Sequence, residues 1–189
     1  MGLLTDLLGD GNATSGTARA SRFITGRYYP QRFSALTAGN PGNGVASYAP
    51  YWVDEAQAFD RIAVFVNTAG SAEAVERLAV FNDDGNGRPG TLVVDAGTVE
   101  AATTGAKEAT ISVTLTPGLY WVAAAGQFTT TGAQPLLTNN NPIDHPIGFD
   151  APANTTVSGW RSTGVTGAFA ASPTVAQNAS CIIVYLRAA

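Results

Sequence analysis

Between Phe59 and Gly126, apolar side chains recur at every second position in short runs, and that period constrains the fold more than any other feature of the chain. Ile62, Val64 and Val66 share one face, as do Leu78 and Val80, and then Ile111, Val113 and Leu115. Successive side chains of an extended backbone point to opposite sides, so a period of two marks half-buried strands. Turn chemistry separates the runs at Asn67–Gly70, Asn82–Gly90 and Pro117-Gly118. Four strands spaced by turns, with no helical period between them, predict an antiparallel sheet system rather than βαβ units.

The flanking sequence completes this plan. Ser180–Leu186 (SCIIVYL) is apolar on both faces and reads as a central, well-buried strand at the end of the domain. A last strand near the middle of a sheet requires the long-range pairing of Greek-key and jelly-roll sandwiches. The fold expected is therefore all-β: an antiparallel, jelly-roll-like β-sandwich. Upstream, Arg22–Tyr29 reads as a short strand closed by Pro30, and Thr37–Ser47 as loop. Tyr48–Val53 reads as an edge strand because Pro50 interrupts it. Thr138–Pro146 holds three Asn and two Pro, and it reads as irregular, as does Ala153–Gly167.

Ahead of the β domain lies an arm. Leu3, Leu4, Leu7 and Leu8 form one apolar face of a small helix, which Gly9-Asp10-Gly11-Asn12 stops. So short a helix is marginal alone in water, so the four leucines are expected to anchor on a partner. Residues 1–20 are read as anchoring arm and linker, and 21–189 as the β-sandwich domain. Four arginines against two aspartates give the first 34 residues a net charge of +2, and six basic against twelve acidic residues give the rest −6. Packing of the arm on an acidic neighbouring subunit explains this better than nucleic-acid binding. With few charges, many small residues and a supply of aromatics, the body suits a homo-oligomer. No run is long enough to span a membrane and the N-terminus lacks the features of a secretion signal, so no membrane insertion is expected.

Chemistry-bearing residues are sparse. The single histidine, His145, has no nucleophile elbow to serve, and the single cysteine, Cys181, reads as a small buried hydrophobe. Zinc-type metal sites fail on residue count, and no cofactor is expected. Asp83–Gly90 (DDGNGRPG) could offer oxygens to calcium, yet Arg88 falls at a ligand position of the EF-hand pattern, so the segment reads as a hairpin connection. Among the aromatics Trp121 reads as core, and Trp160, beside Arg161, as an exposed contact. Carboxamides and carboxylates hydrogen-bond sugar hydroxyls and an indole stacks on a pyranose face. Trp160, Arg161, Asn139, Asn140, Asp144 and His145 are thus the candidate glycan contacts.

DRIAVFV, RLAVFNDDGNGRPGTLVVDAGTV, TTGAKEATISVTLTPGLYWVA and the upstream FITGRYYP together resemble a β-sandwich module of tailed-phage and prophage virion proteins, over roughly Arg22–Gly126. Related modules occur in tail fibres, minor tail proteins and head fibres or spikes. The resemblance implies a structural, non-enzymatic virion protein; the leading expectation is a fibre or spike component on the surface of a phage or phage-like particle, made in the host cytoplasm, bound to other virion proteins through its arm and touching host-surface polysaccharide. Such modules are often trimeric and carry no defined catalytic residues. The alternatives are a connector or decoration subunit without receptor contact and, from another class, a glycan depolymerase.

Overall fold

The alternating runs of the sequence are realised as paired strands. The computed structural model describes residues 23–129, 131–141 and 157–189, and among these there is no helix. In chain order the strands are β1 (Tyr28–Pro30), β2 (Ala35–Gly39), β3 (Val45–Val53), β4 (Gln57–Thr68), β5 (Val75–Asp83) and β6 (Pro89–Glu100). They continue as β7 (Gly105–Leu115), β8 (Gly118–Gln127), β9 (Leu136–Asn141), β10 (Gly159–Thr163), β11 (Ala176–Asn178) and β12 (Tyr185–Ala188). A first sheet runs β1-β12-β4-β9-β2, with β7 on the other edge of β4; a second runs β11-β10-β3-β8-β5-β6. All pairings between these strands are antiparallel. Only β5–β6 and β10–β11 pair with their immediate sequence neighbour, so most connections carry the chain from one sheet to the other. The expected N-terminal helix of Leu3, Leu4, Leu7 and Leu8 lies outside the described residues.

One apolar core draws on both sheets. Ile62, Val64 and Val66 of β4 join Leu78 and Val80 of β5, Val122 and Ala124 of β8, and Leu186 of β12 in it. Each of the Ile, Leu and Val side chains among them, fully buried, contributes roughly 1.5–3 kcal/mol. The opposite face of the second sheet is covered as well. There Tyr48, Phe81, Trp121 and Trp160 pack with Phe169, from the connection between β10 and β11. That connection is tied down by Leu92 N–H to Ala171 O at 2.9 Å, by Phe169 N–H to Asp95 at 3.2 Å, and by the Gln127 amide on the Val165 and Gly167 carbonyls. β5 and β8 are thus buried on both faces.

Several sequence expectations are corrected. The central block holds five strands, because a turn at 101–104 separates β6 from β7. Its Ala-Ala-Thr-Thr lettering carries little turn chemistry; instead the Glu100 carboxylate accepts the Ala102 and Thr103 amides at 3.1 and 3.0 Å and pairs with Lys107. Lys107, ahead of Thr103, holds that carboxyl down to about 2. Within Thr37–Ser47 only the middle is loop, and in Arg22–Tyr29 the strand is delayed to Tyr28, after a turn at Gly26. Thr138–Asn141, read as irregular, is strand β9, paired with β2. β3 is interior rather than edge, although β10 reaches only Val45–Tyr48, so Pro50 lies in the half of the strand that pairs with β8 alone. The Asp83–Gly90 connection is the hairpin expected: Asp83 and Asp84 accept the Gly85 and Asn86 amides at 2.8 and 2.7 Å, and Gly85 and Gly87 take φ of 87° and 72°.

The C-terminal run is buried as its composition requires, but only β12 joins the first sheet in an extended ladder, between β1 and β4. Ahead of it, Cys181–Val184 obtains its hydrogen bonds largely from side chains. The Cys181 amide donates to Asn140 Oδ1 at 2.7 Å, Ile182 to Ser47 Oγ at 3.2 Å and Val184 to Gln31 Oε1 at 2.9 Å, while Gln31 Nε2 donates to Ile182 O at 2.8 Å. Ile183 uses the Thr138 carbonyl, and Cys181 O accepts the Asn140 amide. Burial pushes the Cys181 thiol up to about 12, as suits an inert core residue. Gly159 makes room: a Cβ there would lie 2.0 Å from Tyr48 O and 2.9 Å from Cys181 Sγ. Gln31→Leu strips partners from two buried backbone groups at ~1–3 kcal/mol each. Urea unfolding should show a loss of about 2–6 kcal/mol; an unchanged midpoint would remove these bonds from the account.

Glu76 opposes this satisfaction rule. It sits on the shared-core side of β5, opposite Val99 on β6 and Gly126 on β8, with no exposure and neither carboxylate oxygen hydrogen-bonded. Burial raises its pKa well above the ordinary carboxyl value, so the folded state holds it neutral. Below the unfolded value, about 4.3, both states are protonated and no penalty exists. As pH rises beyond it the unfolded chain ionises first, and stability falls by about 1.4 kcal/mol per pH unit until the folded group titrates. Glu76→Gln should therefore gain on wild type progressively from pH 4 to pH 7 in urea titrations. Parallel pH profiles for the two proteins would show that Glu76 ionises freely.

Candidate functional site

Ladder register decides which of the polar residues meet. β10 runs beside β3 with Trp160 opposite Tyr48 and Arg161 opposite Ser47. Directly opposed residues share a face and successive ones do not, so the indole and the guanidinium part company. Trp160 is 6% exposed and packs in the Phe81–Phe169 cluster; its Nε1 donates to Gly87 O at 2.7 Å, and Arg88 lies over its ring at 5.1 Å. Its expected role as an exposed contact is corrected, because alternation along a strand carries it into the second core.

Arg161 falls on the other face, where a polar cleft of about 260 Å³ opens. Asn40, after β2, Ser47 of β3, Asn139 of β9, Asn178 of β11 and Ser180 line it together with Arg161. Asn139 is 9% exposed; its Nδ2 makes a long 3.4 Å contact to Ser180 Oγ, and its Oδ1 has no partner. Asn40 accepts the Gly42 amide at 2.6 Å and donates to Gln134. Ser47 Oγ is engaged by the Ile182 amide, and Asn178 Nδ2 donates to Ser180 O. Arg161 is the one charged side chain among the described lining residues, and it takes part in no ion pair or hydrogen bond among them. The arrangement offers hydrogen-bond donors and acceptors around one cation, and it contains no nucleophile–base pair.

Of the six candidate glycan contacts, the structure thus brings Asn139 and Arg161 to one cleft. Asn140 is 3% exposed and spends its side-chain oxygen on the Cys181 amide, so it is a structural residue rather than an exposed one. Asp144 and His145 lie outside the described residues. Asn40, Ser47, Asn178 and Ser180 were not singled out from sequence. In a chain rich in Asn and Ser only the register, not the lettering, separates a lining residue from a turn residue. A second concavity, of about 270 Å³, is apolar and lies along β4, β7 and β12, where Phe65 and Tyr28 are 43% and 38% exposed and Tyr28 donates to Glu108. Among the described residues no group of three or more His, Cys, Asp or Glu is placed to hold a metal ion. No protein-family model matches the chain, and no curated protein does.

These placements reverse the expectation for two of the candidates. Trp160→Ala should destabilise the fold by about 3–5 kcal/mol, as for other buried tryptophans. Asn140→Ala should cost about 1–3 kcal/mol by orphaning the Cys181 amide. Thermal melts of both variants measure this; native-like melting of either would return that residue to the surface.

Proposed function

We propose that this chain is a structural, non-enzymatic component of a phage or phage-like particle surface, of the fibre or spike kind, contributing to attachment to host glycan. In this reading the two sheets form a jelly-roll-like β-sandwich that serves as scaffold. The segment of Leu3, Leu4, Leu7 and Leu8 anchors it to other virion proteins. The motif strings of the central block support the particle assignment by resemblance alone, and fold likeness does not fix function. The observation that carries attachment is the polar cleft, in which Arg161 and Asn139 converge from different sheets with two further carboxamides and two hydroxyls. Association into a homo-oligomer, a trimer in the particle, belongs to the same reading, and the exposed apolar residues Phe65 and Tyr28 suit it.

Two variants separate anchoring from attachment. Particles made with a chain lacking residues 1–20 should lack the protein, although the melting temperature of its body is nearly unchanged. Particles carrying Arg161→Gln should contain it in normal amount and adsorb to host cells several-fold more slowly. Normal incorporation of the truncated chain would sink the anchor, and wild-type adsorption of Arg161→Gln particles would place attachment away from the cleft.

A further inference from the structure

The charge pattern of the cleft narrows what it takes. The chain is net acidic, at −4, yet the cleft's one charged side chain among the described residues is cationic. Other arginines of the same sheet are committed: Arg77 pairs with Asp95 at 3.0 Å, and Arg88 covers Trp160. Arg161 is exposed and has no ion pair or side-chain hydrogen bond among the described residues, so its planar fork is open to an anion. Around it the chemistry is neutral and two-sided. A carboxamide both donates and accepts, as a sugar hydroxyl does. Asn139 adds a second, independent indication: it is a cleft-lining residue only 9% exposed, its Oδ1 is buried without a hydrogen-bond partner, and its Nδ2 makes only the long contact to Ser180 Oγ. No aromatic residue is among the described lining, so recognition there rests on hydrogen bonds rather than on stacking. A volume of about 260 Å³, just below the ~300–1,000 Å³ of drug-sized pockets, fits a single sugar residue better than a longer stretch of chain.

We propose that the cleft binds an acidic sugar, with Arg161 holding its carboxylate and the carboxamides of Asn139 and Asn178 taking its hydroxyls. This rests on the attachment reading above and deepens it. The test uses the isotopically labelled full chain, titrated to millimolar concentrations with glucuronate, galacturonate and N-acetylneuraminate, and in parallel with glucose, galactose and acetate, while backbone and carboxamide signals are followed by NMR. At least one acidic sugar should shift the signals of Asn139, Arg161 and Asn178 and bind several-fold more tightly than glucose, galactose or acetate. Arg161→Gln should weaken that sugar about tenfold, the loss expected for one partly exposed charge-assisted contact, and should flatten its salt dependence. Equal affinity for the neutral sugars would overturn the charge requirement, and equal affinity for acetate would reduce the cleft to an anion site. Silence from all three acidic sugars would remove the proposal. Any of these could occur while Arg161→Gln particles still adsorb poorly, so failure of the sugar class and failure of the attachment reading are told apart.

Discussion

Everything in this molecule depends on how the main chain of Cys181–Val184 is satisfied. Four consecutive apolar residues are buried where a regular ladder reaches them only in part, and buried amides without partners are costly. The solution is polar side chains held in the interior: Gln31 and Asn140 from the first sheet's segments and Ser47 from the second. Gln31 spends both ends of its carboxamide there. The arrangement ties the last residues of the chain to three segments distant in sequence. Closing such contacts costs loop entropy before burial returns it, so completion of the core belongs late in folding.

The interior is therefore not uniformly apolar, and its polar members fall in two classes. Gln31, Ser47 and Asn140 are partnered and specify one placement of the C-terminal run. Glu76 is unpartnered and stays in place only because it can remain protonated. Gly126, which contributes no side chain, is its neighbour on β8. The second sheet is covered on one side by the shared core and on the other by the Phe169 connection. The cleft opens between residues of the two sheets, with Asn139 from the first and Ser47 and Arg161 from the second.

Alternation made much of this legible. The inward set Ile62, Val64, Val66, Leu78, Val80, Ile111 and Leu115 is buried as its period of two predicts, and Trp121 and Cys181 are core. The Asp83–Gly90 hairpin was readable because its chemistry is local: carboxylates on nearby amides and glycines at positive φ. What was not legible depended on partners far along the chain. Asn139 and Asn140 look like loop residues until β2 pairs with them. Trp160 looks exposed until Phe169 arrives. Pro50 reads as an edge marker until β10 is seen to stop at Tyr48. Of the site, the letters offered Arg161 and Asn139, but not that one lies across a cleft from the other.

That premature end of β10 has a further consequence. Among the described residues it leaves the second half of β3 without a strand partner on one side, within a sheet whose strands are otherwise rich in apolar residues. Open strand flanks are where proteins template onto one another. Here the flank carries Pro50, which has no amide hydrogen to give, and it runs for only a few residues. A copy that drifts alongside finds no continuous row of donors to extend. This flank of β3 is thereby a poor template for pairing with a second copy.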